Sequence, residues 1–326
     1  MSQERQYRDI LDSLLKSPNP IVRYKSHVNI LGADASAQNI STMRDEIKTS
    51  AIAQSLLTDL ADANPSQRDG LNTLYGRLKY LADIDYPPGD ETLLSYRDRV
   101  HGWIRRLEKE YDEKLFIKDK YRVHGSFHGN ALYASIVLGM VNQETDELCD
   151  NLIGYQWPGG GWNCSKVPKA IGPTIVHTAY GMRGLVAYQA QRDTPALRTA
   201  IELCAEILLD RHVYLKRTDS RPLRPVYTKM AYPYPRLYNF MVGLHILTRA
   251  GYVTDVRCTE ALDLLESKFI EGQGWPMERK LFHHNPKKEG HTDANWELEK
   301  LGKASLFLTV DALEILQKAN RFSPPI

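Results

Sequence analysis

Histidines and one cysteine are the residues whose type and spacing are best suited to chemistry. His124 and His128 stand four residues apart, and His177 opens an almost uncharged segment further along the chain. An imidazole can accept one proton and donate another near neutral pH. At a helix N-terminus the dipole disfavours its cationic form. The sequence therefore makes His128 and His177 candidate acid–base or orienting groups, with Tyr238 as a third candidate catalytic residue. The structural alternative, a histidine that caps a helix or satisfies the core, is common for an isolated histidine.

A metal site is also conceivable but is not favoured by the sequence. His124 and His128 have the i, i+4 spacing of a helical metal pair, but the glutamate of a His-Glu-x-x-His motif is absent and two glycines weaken the helix. Cys164 is either a third ligand, a nucleophile or a buried turn thiol, and the last is the more common role. We therefore expect no bound metal and no cofactor.

Helices of two kinds alternate along the chain and must position these residues. Amphipathic segments have one solvent-exposed face, whereas segments that are apolar on all sides must be buried. The predicted helices are 4–16, 20–32, 41–61, 67–83, 92–113, 130–141, 144–153, 174–190, 195–211, 236–250, 257–269 and 303–319. This pattern predicts an all-α fold without significant sheet. Twelve helices in six outer–inner pairs suit a single (α/α)6 toroid domain over residues 1–326, with an open solenoid as the alternative. Residues 1–35 resemble a HEAT-type helical hairpin.

The first turns of the inner helices are the place to look for a binding site. In a toroid these N-termini share one mouth, and their partial positive charge favours an anionic group. Aromatic residues would form the cavity wall and stabilise cations. Arg236 and Lys303 would meet an anionic end, and residues 283–288 would form an exposed loop or lid. The predicted substrate-binding residues are Phe127, Asn130, Trp162, Tyr180, Tyr232, Tyr234, Arg236, Asn239 and Lys303.

Composition limits the classes of function. The 326 residues are 42% hydrophobic and 25% charged with a net charge of +2, which argues against nucleic-acid binding. No apolar run is long enough for a membrane span, and the N-terminus has no signal core. Four cysteines form no Cys-x-x-Cys pair, and Cys204 and Cys258 lie on apolar helix faces. We expect a cytoplasmic protein with free thiols.

Two glycine–tryptophan turns carry a family resemblance. Gln156-Trp157-Pro158-Gly159-Gly160-Gly161-Trp162 resembles the Gln-Gly-x-Trp repeat of squalene and terpenoid cyclases, and Glu271 to Pro276 is a weaker copy. The same turn followed by residues 176–185 is similar to the β-subunit repeats of protein prenyltransferases. The resemblance covers roughly residues 120–320. It implies an α/α toroid that acts on an isoprenoid-type substrate.

The chain departs from both families at the catalytic motifs. No Asp-x-Asp-Asp acid is present; Asp83-Ile84-Asp85 is the nearest approach, and it lies at a helix C-terminus. The Asp-rich motif that binds diphosphate and magnesium is missing as well. Residues 128–130, His-Gly-Asn, stand where the prenyltransferase zinc site requires Asp-x-Cys, although His177 matches its histidine.

The resulting expectation is a small cyclase, isomerase or lyase of specialised metabolism. Its substrate would be a polyene or isoprenoid-type molecule, and a proton shift or pericyclic closure would replace carboxylate-initiated cyclisation. The alternative is a non-catalytic toroid that binds an apolar small molecule or a partner's C-terminal tail. Perturbed histidine titration would favour the enzyme, and an unperturbed, purely aromatic cavity would favour the carrier.

Overall fold

The structure is a computed structural model that describes residues 2–65, 72–114, 116–234, 238–282, 292, 294, 296 and 300–324. Within these ranges the chain forms thirteen α-helices, and the only β-pairing there consists of isolated bridges. The all-α prediction is confirmed. The chain divides into two compact units, whose residues are 1–58, 83–87 and 211–326 for the first and 59–82 and 88–210 for the second. The toroidal arrangement stays a prediction.

The first unit contains helices from both ends of the chain. They are α1 (Gln3–Leu15), α2 (Pro20–Lys25), α3 (Gln38–Glu46), α4 (Ala51–Leu57), α11 (Phe240–Arg249), α12 (Thr259–Ser267) and α13 (Leu306–Lys318). A π-helical turn, Ser26–Ile30, continues α2. Asn19 caps α2 by accepting hydrogen bonds from the backbone N–H groups of Ile21 and Val22. The predicted hairpin of residues 4–16 and 20–32 is therefore present, with its second arm changing helix type at Ser26.

The second unit is formed by the central part of the chain. It contains α5 (Leu74–Asp83, except the last residue), α6 (Leu94–Lys114), α7 (Gly125–Val137), α8 (Gln143–Gly154), α9 (Ile175–Gln189) and α10 (Pro195–Leu209). Thr194 caps α10 and Pro195 occupies its first turn, as the sequence predicts. Short 3-10 turns lie at Ile47–Thr49, Glu91–Leu93, Pro225–Thr228 and Val256–Cys258 in the two units.

Burial alternates along the chain in the predicted manner. Helices α7, α9, α11 and α13 are buried along most of their length, whereas α8, α10 and α12 bury a single face. The uncharged segments have no face suited to water, so each must be covered on all sides. This confirms the two kinds of helix on which the fold prediction depends.

Several predicted helix bounds are wrong because polar side chains cap the helices. The helix expected over 41–61 is two helices, since the Ser50 backbone is extended and its hydroxyl accepts from Ala53 N. Asn239 and Ser305 cap α11 and α13 in the same way, so these begin later than expected. Helix α7 instead begins five residues early, at Gly125. The helix count is therefore thirteen in the described ranges and not twelve.

The two glycine–tryptophan turns have equivalent local structures. Trp162 donates its indole N–H to the Leu152 carbonyl at 3.0 Å, and Trp275 donates to the Leu265 carbonyl at 2.7 Å. Each acceptor lies ten residues earlier on an amphipathic helix, and each tryptophan is fully buried. The structure therefore supports the repeat seen in the sequence. Among the described residues no helix combines the length and apolar character that crossing a membrane requires.

Candidate functional site

Helices α7 and α9 of the second unit pack at very short distance, and this contact positions the predicted histidines. A Cβ atom on Gly129 would lie 2.0 Å from the Tyr180 carbonyl oxygen, and one on Gly184 would lie 2.3 Å from the Gly129 carbonyl oxygen. Only glycine allows backbones to approach so closely. The contact brings the start of α7, with His124, beside the first turn of α9, with His177.

The glycine–tryptophan turn holds the segment that contains Cys164. Gly160 and Gly161 have positive φ, and Trp157 N donates to the Gly161 carbonyl. The Trp162 carbonyl accepts from Thr174 N at 2.9 Å, just before α9 begins. Asn163 then donates its amide to the Gly172 carbonyl at 2.7 Å. The chain around Cys164 is therefore fixed on both sides.

Four side chains meet where these segments join, and we name them the His–Cys cluster: His124, Ser126, Cys164 and His177. His177 Nε2 lies 3.0 Å from Cys164 Sγ, and His177 Nδ1 lies 2.9 Å from Ser126 Oγ. The ring of His124 meets that of His177 edge-on, with centroids 5.2 Å apart. One nitrogen of each histidine and the sulfur of Cys164 all lie within 4.8 Å of one another. The three residues are half-buried.

The other predicted residues of the second unit surround this cluster or support the core. Phe127 is buried and stacks on His124 with centroids 4.7 Å apart. Trp162 and Tyr180 are buried core residues. Asn130 donates to the Tyr75 hydroxyl at 3.1 Å.

His128 is fully buried, and its Nε2 lies 3.1 Å from a carboxylate oxygen of Glu108. His128 therefore has a buried acid partner and is not part of the His–Cys cluster.

The first unit contains a second group of titratable residues, which we name the acid cluster: Lys25, Asp85, Tyr234, His245, Arg249, Asp311 and Glu314. Tyr234 donates its hydroxyl to Asp311 Oδ2 at 2.7 Å. Lys25 Nζ lies 3.7 Å from Asp85 and 4.0 Å from Asp311. Arg249 Nη2 contacts both oxygens of Glu314 at 2.9 and 3.1 Å, and His245 Nε2 lies 3.8 Å from Glu314. Lys25 and Arg249 thus pair with the carboxylates of this cluster, and Arg44 donates its guanidinium to the Asp85 backbone carbonyl at 3.1 Å.

Burial shifts the titration of this cluster. The pKa of Glu314 is raised to about 7, chiefly because its carboxyl is desolvated; Arg249 opposes the shift and Asp311 adds to it. Burial and the neighbouring Asp311 raise the pKa of Tyr234 well above its usual range. The Glu314 carboxyl is therefore about half protonated near neutral pH. A buried acid with a pKa near neutrality can serve as both proton donor and proton acceptor.

The predicted residues of the first unit have different surroundings. Tyr232 is buried and stacks on Phe307 with centroids 4.5 Å apart and planes 3° from parallel. Tyr234 belongs to the acid cluster. Tyr238 donates its hydroxyl to the Val213 carbonyl at 2.6 Å. The side-chain oxygen of Asn239 caps α11 by accepting from Val242 N, and its side-chain amide donates to the Lys229 backbone carbonyl. Both are thus engaged by backbone groups.

Lys303 is exposed, in the turn before α13. Arg236 and the loop of residues 283–288 lie outside the described residues.

Sequence reasoning missed most of the acid cluster. Asp311 and Glu314 stand inside the apolar run of α13, and His245 stands inside that of α11. Charged residues in helices that must be buried were the available signal. The Asp83-Ile84-Asp85 segment was named, but only as a weak approach to a cyclase motif. Asp83 is buried at the end of α5, and Asp85 pairs with Lys25.

The cysteines separate into two classes. All four are free, and Cys149, Cys204 and Cys258 are buried. Burial raises the pKa of each of these three thiols to about 12. They are therefore inert at neutral pH. Cys164 is only half-buried and lies beside an imidazole.

Comparison of the chain with protein-family models gave no match, and comparison with curated proteins and with solved structures gave none either.

Proposed function

We propose that the protein is an acid–base isomerase or cyclase acting on an apolar, isoprenoid-like substrate, with the acid cluster as its proton-transfer centre. The observation that carries the proposal is the position of Asp311 and Glu314, two almost fully buried carboxyl groups one helical turn apart, with the Tyr234 hydroxyl hydrogen-bonded to Asp311. Two neighbouring buried carboxyl groups can hold one exchangeable proton between them.

The strength of this acid favours a proton shift over cation-initiated cyclisation. A carboxyl with a pKa of about 7 is half ionised at neutral pH, so it can both donate and recover a proton. It is too weak to protonate an isolated alkene. It suits removal of a proton from an activated carbon, for example one next to a carbonyl, followed by return of the proton further along a conjugated chain. Lys25 would stabilise the negative charge that forms.

Aromatic rings next to the acid cluster support an apolar substrate. The ring of Tyr232 lies 5.9 Å from that of Tyr234 and stacks on Phe307. Trp296 is buried and lies 6.2 Å from Tyr232. Such rings supply a large apolar surface with fixed geometry. The group that moves the proton is thus next to a surface suited to an unsaturated hydrocarbon chain.

Exchange with solvent deuterium tests the proposal. The protein would be incubated in D2O with isoprenoid β,γ-unsaturated ketones, and the products analysed by mass spectrometry and NMR. We expect an isomer carrying one deuterium, formed at least about a hundredfold more slowly by Glu314→Gln and Asp311→Asn. Glu202→Gln on the exposed face of α10 is the control. Turnover unchanged in both cluster variants would contradict the proposal.

Binding without chemistry is the second candidate function. A cavity of about 440 Å³ in the first unit lies beside α1, the glycine turn at residues 271–273 and the start of α13. Its size suits a small apolar ligand. Saturable binding of the same compounds without deuterium incorporation, and unaffected by Glu314→Gln, would favour this function.

A further inference from the structure

We propose that the His–Cys cluster is a zinc site in which His124, Cys164 and His177 are the protein ligands and the fourth position is open to solvent or substrate. The inference is independent of the proposed function, because the cluster lies in the second unit and the acid cluster lies in the first. It also reverses the expectation of no metal, which rested on residues 128–130 and on the lack of a second cysteine near Cys164.

The ligand types and separations fit zinc. Imidazole nitrogen and thiolate sulfur are its preferred donors, and three protein ligands with one open position are typical of catalytic zinc. Tetrahedral zinc would hold a nitrogen and a sulfur roughly 3.5 Å apart. The Cys164 Sγ to His177 Nε2 distance is 3.0 Å, and the three donor atoms lie within 4.8 Å of one another. Side-chain rotations that move the donor atoms by about 1 Å would complete the tetrahedral geometry.

Neighbouring groups orient the ligands before any metal binds. With Nδ1 of His177 donating to Ser126 Oγ, the Nε2 lone pair faces Cys164, as a metal ligand requires. The Phe127 ring stacks on His124 and restricts its rotation. Cys164 follows the buried Trp162 anchor. The three ligands come from three segments, each of which is held independently of an ion.

A second three-ligand group provides a useful comparison. His245, Asp311 and Glu314 also have donor atoms within 4.8 Å of one another. There, however, Arg249 contacts Glu314 and Lys25 lies near Asp311, so two cations next to the carboxylates would repel an entering metal ion. That group is also almost fully buried, whereas the His–Cys cluster is half-buried and open to an entering ion. Zinc should therefore bind at the His–Cys cluster.

The proposed ligands differ from those that the prenyltransferase resemblance would require. Only His177 stands at a matching position; His124 precedes residues 128–130, and Cys164 comes from the glycine–tryptophan turn. The inference therefore depends on the positions of the side chains and not on the family pattern.

Cobalt substitution tests the site directly. Metal-free full-length protein would be titrated with Co²⁺ and then with Zn²⁺, with metal content measured by elemental analysis. We expect one ion per chain, with a thiolate-to-cobalt charge-transfer band in the near ultraviolet that zinc abolishes. Cys164→Ser should remove that band, and His124→Ala and His177→Ala should each weaken zinc binding at least tenfold. His212→Asn, which changes an exposed histidine of the first unit, should bind normally.

Two further measurements keep the test decisive. Ser126→Ala leaves all three ligands in place but removes the partner of His177, and it should weaken zinc binding about 10–100-fold. Far-ultraviolet dichroism would check that each variant is folded.

Absence of the charge-transfer band from the wild-type protein would overturn the proposal, as would equal zinc affinity in wild type, Cys164→Ser and Ser126→Ala. Rapid alkylation of Cys164 by iodoacetamide, unaffected by zinc, would likewise count against it and indicate a nucleophilic thiol.

Discussion

Asp311 and Glu314 lie one helical turn apart on α13, and both side chains are about 1% exposed. Carboxylates are rarely buried so deeply without full neutralisation. Here Lys25 lies near Asp311 and Arg249 contacts Glu314, yet desolvation still raises the pKa of Glu314 and favours its protonated form. At the scale of single residues, the proposed proton transfer therefore depends on the deep burial of Glu314 beside Asp311.

The raised pKa of Glu314 predicts how stability depends on pH. Its folded pKa of about 7 lies above the ordinary value of 4.5, so the folded state binds this proton more tightly. The resulting stabilisation is present below pH 4.5 and is lost as pH rises through 7. We expect the unfolding free energy of wild type, relative to Glu314→Gln, to fall by on the order of a few kcal/mol between pH 5 and 8. Urea titrations at several pH values would measure this.

The control for that experiment is Glu202→Gln, an exposed position on α10. Its stability relative to wild type should not change over the same range. A difference between wild type and Glu314→Gln that rises with pH would contradict the proposed protonation.

His177 should contribute more to ligand binding than to folding. It is half-buried and joins Ser126 to Cys164, whereas Leu244 is fully buried in α11. His177→Ala should lower zinc affinity at least tenfold, about 1.4 kcal/mol. It should cost less stability than Leu244→Ala, for which ~2–5 kcal/mol is typical. Chemical unfolding of both variants would measure the two losses of stability. A His177→Ala protein that is unfolded would show instead that the residue is structural.

Single-residue predictions from sequence depended on recognising a helix start. His177 was named for its position in a first turn, and it lies in the His–Cys cluster. Asn239 and Tyr238 were named on the same reasoning, yet their polar atoms bind backbone groups. The sequence shows that a polar residue is near a helix start. It does not show whether the backbone already uses it.

At the scale of elements, the contact between α7 and α9 depends on glycine. Gly129 and Gly184 face each other across it, and neither position has room for a Cβ atom. The periodic pattern predicts two buried helices, but it does not reveal that they touch at their backbones. That contact sets the distance between His124 and His177, so the spacing of the His–Cys cluster is a property of the helix pair.

A methyl group in this contact should be destabilising. In Gly184→Ala the added Cβ would lie 2.3 Å from the Gly129 carbonyl oxygen, and a backbone atom cannot rotate aside. We expect a loss of about 1–3 kcal/mol or more, together with weaker zinc binding. Gly154→Ala, at the end of α8 with no atom within 4 Å of its Cβ, is the matched control and should be neutral or slightly stabilising. Equal thermal midpoints for the two variants would show that the helices can separate without cost.

At the scale of the whole molecule, the first unit is built from segments far apart in the chain. It combines residues 1–58 with residues 211–326 and includes the short segment 83–87. The pair of Lys25 and Asp311 joins residues from opposite ends of the sequence. Helix type, burial pattern and the equivalence of the two tryptophan turns follow from local sequence and were predictable. Pairings over such separations have no local signal, which is why the partners of each residue in the acid cluster could not be predicted.

The meeting of the chain ends makes Tyr7 important for the stability of the first unit. Its buried ring contacts Phe269, Trp275 and Phe322, with centroids 4.9, 5.3 and 5.8 Å away. Tyr7→Ala would leave a cavity against the second glycine–tryptophan turn and should cost about 3–5 kcal/mol. Trp275 is fully buried, so its fluorescence should report the loss during urea unfolding. Leu301→Ala, at a side chain 59% exposed in the same unit, should cost less than about 0.5 kcal/mol. If Tyr7→Ala unfolds at the same urea concentration as wild type, the N-terminal helix does not stabilise the C-terminal part of the unit.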